Sequence, residues 1–97
     1  MRRRARVDAN HGEVVQALRR VGALVFDLSR VGAGCPDLLV CHRGRLYLLE
    51  VKDGTKAACD RRLTKDEAAF AALWPVTVVL GPDDALRTLG ISFARSA

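Results

Sequence analysis

Val14, Ala17, Leu18 and Val21 recur three and four residues apart, the spacing of one helical face. They predict a helix over Asn10 to Val21, stopped by Gly22. Ala23 to Leu28 is a short apolar run and reads as a strand, after which Val31-Gly32-Ala33-Gly34 forms a loop. Two further apolar runs, Asp37 to Cys41 and Leu46 to Lys52, flank His42-Arg43-Gly44-Arg45 and read as a hairpin. Asp53 to Arg62 is a polar, basic loop. Thr64 opens a second helix with Glu67 three residues on, a capping box, and that helix ends at Trp74-Pro75. Val76 to Leu80 is a β-branched run that predicts a buried strand, and Gly81-Pro82-Asp83 starts a last helix through Leu89. The order α-β-β-β-α-β-α implies an α/β fold with a central mixed β-sheet flanked by helices.

A chain of 97 residues holds one domain, 1–97, with 1–7 reading as a basic, flexible N-terminal segment. Hydrophobic residues at 49% and charged residues at 28% fit a packed globule rather than a disordered chain. Aromatic residues at 5% argue against a module that stacks bases on exposed rings. Cys35, Cys41 and Cys59 are odd in number and form no CxxC pair, which speaks against a disulfide scaffold or structural zinc. They read as reduced thiols in a reducing compartment. The arginine-rich start leads into Val7-Asp8-Ala9-Asn10-His11-Gly12, which is no apolar signal core, and no run has the length of a membrane span. A cytoplasmic protein without a membrane partner is expected.

The hairpin changes the picture from fold to chemistry. If it turns at Arg43-Gly44 with Gly44 at positive φ, Leu39 faces Leu48 and Asp37 faces Glu50. Two carboxylates then meet side by side, with Lys52 two residues beyond Glu50 on the same face. The rest of both strands is apolar on both faces, the pattern of central strands covered on each side. Opposed like charges cost stability, whereas a hard divalent cation such as Mg²⁺ reverses the repulsion. The alternative is that Asp37 is a turn residue after Pro36 and Glu50 simply pairs with Lys52. Glu13 is a third candidate, on the border of the first helix's buried face, but Asn10-x-x-Glu13 is equally a capping box. Both alternatives stay open on these residues alone.

Charge adds a candidate partner. Lys+Arg is 16 against 11 for Asp+Glu, a net charge of +5. Arg2, Arg3, Arg4 and Arg6 cluster at the N-terminus, and Arg43, Arg45, Lys52, Lys56, Arg61, Arg62 and Lys65 cluster around the candidate acids. Cationic side chains flanking a cleft neutralise phosphates and steer DNA, which singles out Arg43, Arg45, Lys56, Arg61 and Arg62 as DNA contacts. His11 and His42 read as surface imidazoles. Cys35 reads as a packing residue, and no Ser/His/Asp or Cys/His arrangement is apparent.

Gly34-Cys35-Pro36-Asp37, twelve intervening residues, then Glu50-Val51-Lys52 resembles the signature of the PD-(D/E)XK nuclease superfamily. With Glu13 on the preceding helix, the chain from about Asp8 to Leu89 resembles the virus-type replication-repair nuclease (VRR-NUC) domain. The resemblance implies a restriction-endonuclease-like core and a divalent-metal-dependent DNA endonuclease of phage or bacterial replication, recombination or repair, including forms selective for junction or flap DNA. It implies that Asp37, Glu50 and the Val51 carbonyl bind Mg²⁺, for which Mn²⁺ substitutes, with Glu13 joining directly or through water. Lys52 would orient the attacking water or stabilise charge on the phosphate. Small family members act as homodimers, and no organic cofactor is implied. The family often carries Gln where this chain has Glu67, so Glu67 either caps the helix or alters how the nucleophile or metal is held. The competing expectation is a catalytically silent nucleic-acid-binding accessory module on the same fold.

Overall fold

The computed structural model describes residues 8–92. The expected basic segment 1–7 lies outside them. Helix α1 (His11–Arg20) is followed by β1 (Leu24–Asp27), β2 (Leu38–His42) and β3 (Arg45–Val51). A 3-10 turn at Ala58–Arg61, α2 (Lys65–Leu73), β4 (Val76–Val79) and α3 (Pro82–Thr88) complete the chain. The protein is thus α/β, with the four strands in one mixed sheet ordered β1-β2-β3-β4. Only β3 and β4 run parallel. Among the described residues no helix is long and apolar enough to cross a membrane.

The hairpin has the expected register, with Leu38 beside Leu49, Leu39 beside Leu48 and His42 beside Arg45. The turn differs in one respect. Arg43 (φ 52) joins Gly44 (φ 79) in the left-handed region, as a two-residue hairpin turn matching the twist of its strands requires. An L-residue with a long side chain pays about 1 kcal/mol for that conformation, whereas Asn tolerates it. Arg43→Asn is therefore expected to stabilise the fold by about 1 kcal/mol, read as a higher urea midpoint with unchanged slope.

Alternation along the strands separates two faces. Leu38, Val40, Leu49 and Val51 point to one, where they form the core with Val14 and Leu18 of α1, Val79, Ala85 of α3 and Leu89. Helices α1 and α3 pack on each other over this face. The opposite face is less covered than the apolar strands led one to expect. Leu24, Phe26 and Leu46 are 71%, 65% and 70% exposed, so no described residue covers the hairpin half of that face. Helix α2 does not supply it: none of its residues is buried, and Phe70 stacks on Trp74 rather than on the sheet. The expected buried strand after α2 is an edge strand whose only buried residue is Val79.

The alternation also corrects the histidines. His42 falls on the core face with Leu38 and Val40 and is buried, not a surface imidazole. His11 is buried too, its Nε2 3.0 Å from Asp27 Oδ2, and it ties the start of α1 to the end of β1.

Candidate active site

Asp37 and Glu50 occupy the next rung of the hairpin after Leu38–Leu49, at its open end away from the turn. They lie on the sheet face opposite the α1/α3 core, yet they are only 8% and 4% exposed. Asp37 Oδ2 accepts a 2.7 Å hydrogen bond from the Val51 backbone N–H, which fixes one carboxylate against the backbone of the other's strand. The expected meeting of the two acids is what the fold builds.

Lys52 leaves the same strand end. Its Nζ sits 2.8 Å from Glu67 Oε1 and 3.7 Å from Glu50 Oε2. Glu67 belongs to the capping box of α2: its side chain accepts from Thr64 N at 2.8 Å while Thr64 Oγ1 accepts from Glu67 N at 3.2 Å. The two roles weighed for Glu67 are therefore not exclusive. One oxygen caps the helix and holds the lysine.

The electrostatics follow from burial and like charge. Burial pushes the Glu50 carboxyl up to about 9, with the charges of Asp37 and Glu67 adding to the effect. Burial also raises Asp37, against the pull of the Val51 N–H. For Lys52 burial acts downward, but the bond to Glu67 and the charges of Glu67 and Glu50 outweigh it and raise its pKa. The Cys35 thiol beside the acids is raised by burial and by the charges of Glu50 and Asp37, so it stays protonated and is no nucleophile at neutral pH.

Asp37, Lys52, Cys35 and Glu67 line a cleft of about 1020 Å³ between the loop after β1 and the start of α2, with Glu50 buried behind Asp37 and Lys52. Gly34 allows that close approach. At φ +82, it presses against the backbone carbonyl of Asp66, where any Cβ would collide. The cleft wall carries Asp8, Asp37, Asp60, Asp66 and Glu67 against Lys52 and Lys56. It is an acidic cleft, not the positively charged collar expected around the acids. Arg43 and Arg45 sit at the hairpin tip, roughly 20 Å along the strands from Asp37 and Glu50, because the hairpin's length separates its two ends. Arg61 and Arg62 follow on the segment of the 3-10 turn and do not line the cleft, whereas Lys56 does.

Glu13 is not brought to the cleft. The stripe Val14, Ala17 and Leu18 turns toward the core, which leaves Glu13 exposed on α1. The capping-box alternative for it is not formed either, since Asn10 makes no side-chain cap. Asn10 Nδ2 instead donates to the Lys52 and Leu80 carbonyls at 3.2 and 3.1 Å, fastening α1 across the ends of β3 and β4 beside the acids. Asp8, one turn earlier, is the acid from this end of the chain that reaches the cleft. Its place near a helix start and two residues before Asn10 carried no signal that separated it from a solvated charge.

A hard cation is tested by these donors. Among the described residues no group of three or more His, Cys, Asp or Glu side chains is arranged to hold a metal ion. The set is thus two carboxylates, with the Val51 carbonyl as a backbone donor. That fits Mg²⁺, which is bound through one or two carboxylates and keeps several waters. Comparison with protein-family models, curated proteins and solved structures finds no match.

Proposed function

We propose that this protein is a divalent-metal-dependent DNA endonuclease of the PD-(D/E)XK type, similar to VRR-NUC domains. The observation that carries the proposal is the buried Asp37–Glu50 pair, whose Asp37 lines a cleft with Lys52 beside it. Folding gains nothing from burying two adjacent carboxyl groups that repel once both ionise, and metal-assisted hydrolysis of a phosphodiester uses such a pair.

Asp37, Glu50 and the Val51 carbonyl would hold Mg²⁺ or Mn²⁺. When bound, the cation neutralises charge on the phosphoryl group and lowers the pKa of water. The protein's own part is positional. Asp37 is held by the Val51 N–H, and Lys52 brings an ammonium, kept protonated by Glu67 and Glu50, to where phosphate charge develops. Water attacks phosphorus in line with the leaving oxygen, the P–O ester bond breaks, and no covalent enzyme intermediate forms. Lys56 in the cleft is the phosphate contact nearest this chemistry, and Arg43, Arg45, Arg61 and Arg62 are outer contacts for a longer substrate. Action as a homodimer in the cytoplasm, on DNA in replication, recombination or repair, belongs to the same proposal.

The test is cleavage of matched linear, flap and four-way-junction DNAs with Mn²⁺ and with Mg²⁺, alongside a solution mass measurement. Cutting or nicking that stops on chelation is expected. Salt-dependent DNA binding with no turnover in either metal would overturn the endonuclease and leave a silent binding module.

A further inference from the structure

We infer that Glu67 is a positioning residue for Lys52, and that the start of α2 is built as the back wall of the reaction site. The inference deepens the nuclease assignment. Its kinetic arm rests on that assignment, and its structural arm does not.

Three observations converge. Glu67 Oε1 accepts from Lys52 Nζ at 2.8 Å, closer than the 3.7 Å from that nitrogen to Glu50. The same oxygen accepts from Thr64 N at 2.8 Å, so it is held from behind by the backbone and cannot follow the lysine if the lysine moves. The start of α2 is itself located by Gly34, whose bare Cα meets the Asp66 backbone where no Cβ fits. A helix that buries none of its side chains has little else to place it so closely against the cleft.

The arrangement has a chemical point. Lys52 has a long flexible stem, and two acids compete for its ammonium. Without Glu67, Lys52 keeps only the longer 3.7 Å contact with Glu50, and its flexible stem is free to swing out of the cleft. Glu67 draws the ammonium away from Glu50 and keeps it in the cleft. A cap alone would need only the two Thr64 contacts and would place no demand on Lys52.

The experiment compares Glu67→Ala, Glu67→Gln and Thr64→Ala in the whole chain. The first readout is acetylation of Lys52 by acetic anhydride in metal-free protein, followed by peptide mass spectrometry. Glu67→Ala is expected to raise its rate about ten-fold, on the scale of one lost charge-assisted hydrogen bond. Glu67→Gln retains an oxygen acceptor and is expected to restore protection. Thr64→Ala removes one cap bond, lowers the thermal midpoint and is expected to leave Lys52 protected. The second readout is DNA cleavage with Mn²⁺, where Glu67→Ala is expected to lower kcat about ten-fold with KM unchanged and Glu67→Gln to recover it. Unchanged Lys52 acetylation in Glu67→Ala, or equal deprotection in Thr64→Ala, would overturn the inference. If the native protein cleaves no DNA, the nuclease assignment fails, and the acetylation result still decides whether Glu67 positions Lys52.

Discussion

Asp37→Asn is expected to lower DNA cleavage by roughly two to three orders of magnitude in kcat, the scale of losing a preorganised electrostatic group at a reacting centre. Asn is chosen over Ala for a structural reason. Its side-chain oxygen still accepts from the Val51 N–H, so no buried donor is left unpaired, a loss worth about 1–3 kcal/mol. The variant also removes one ionisable group from the buried acid pair, so its thermal midpoint should match or exceed the native one. A cleavage assay run beside thermal melts separates the two effects. Retained cleavage in a folded Asp37→Asn protein would show that this carboxylate does not hold the reaction together.

The stability of the cation-free protein is expected to fall as pH rises from about 5 to 9. Glu50 titrates near 4.5 in an unfolded chain and near 9 in the folded one. Between those values the folded state binds the extra proton, so raising the pH favours unfolding. The slope approaches about 1.4 kcal/mol per pH unit while one proton separates the states. Asp37 is raised as well and contributes in the same direction at the acid end. Asp27 and Glu67 are lowered, so their contribution is lost only as pH falls below the ordinary carboxylate range. Urea midpoints measured across this window in a chelator are expected to decline. Glu50→Gln should flatten the profile and be the more stable protein at pH 8. Added Mg²⁺ should recover stability in the native chain at alkaline pH, because it binds the ionised pair of the folded state alone. A flat native profile would mean that the acids are not forced together as their burial implies.

Much of this was legible in the residues, for identifiable reasons. The turn chemistry at Arg43-Gly44 between two apolar runs set the hairpin register, and the register alone put Asp37 beside Glu50. Thr64-x-x-Glu67 announced α2 because a capping box is a local motif. What escaped depends on tertiary context. Asn10 has the sequence of a cap, yet two strand-end carbonyls outcompete the helix for its amide. Glu13 sits at the edge of an apolar stripe, and a small rotation of α1 about its axis decides between cleft and solvent. His11 and His42 look solvated by type and are buried by their strand and helix partners. The basic residues cluster in sequence, but a hairpin places its tip and its base at opposite ends of the sheet. Helix α2 has the apolar composition of a core helix, and composition cannot say that nothing covers it.

Helix α1 packs on α3, and Asn10 reaches the Leu80 carbonyl. During synthesis α1 therefore emerges long before α3, one of the elements that cover it. Val14 and Leu18 can be covered by β1–β3 as these emerge, but their contacts with Val79 and α3, and the parallel pairing of β3 with β4, wait for the later segments. The early product is a free hairpin with apolar strands, the kind of species that aggregates or recruits chaperones. The α1–α3 and β3–β4 contacts join distant parts of the chain and slow the final folding steps. The acid pair is assembled early, by the hairpin alone, but it becomes a site only when the last third of the chain has closed over the other face of the sheet.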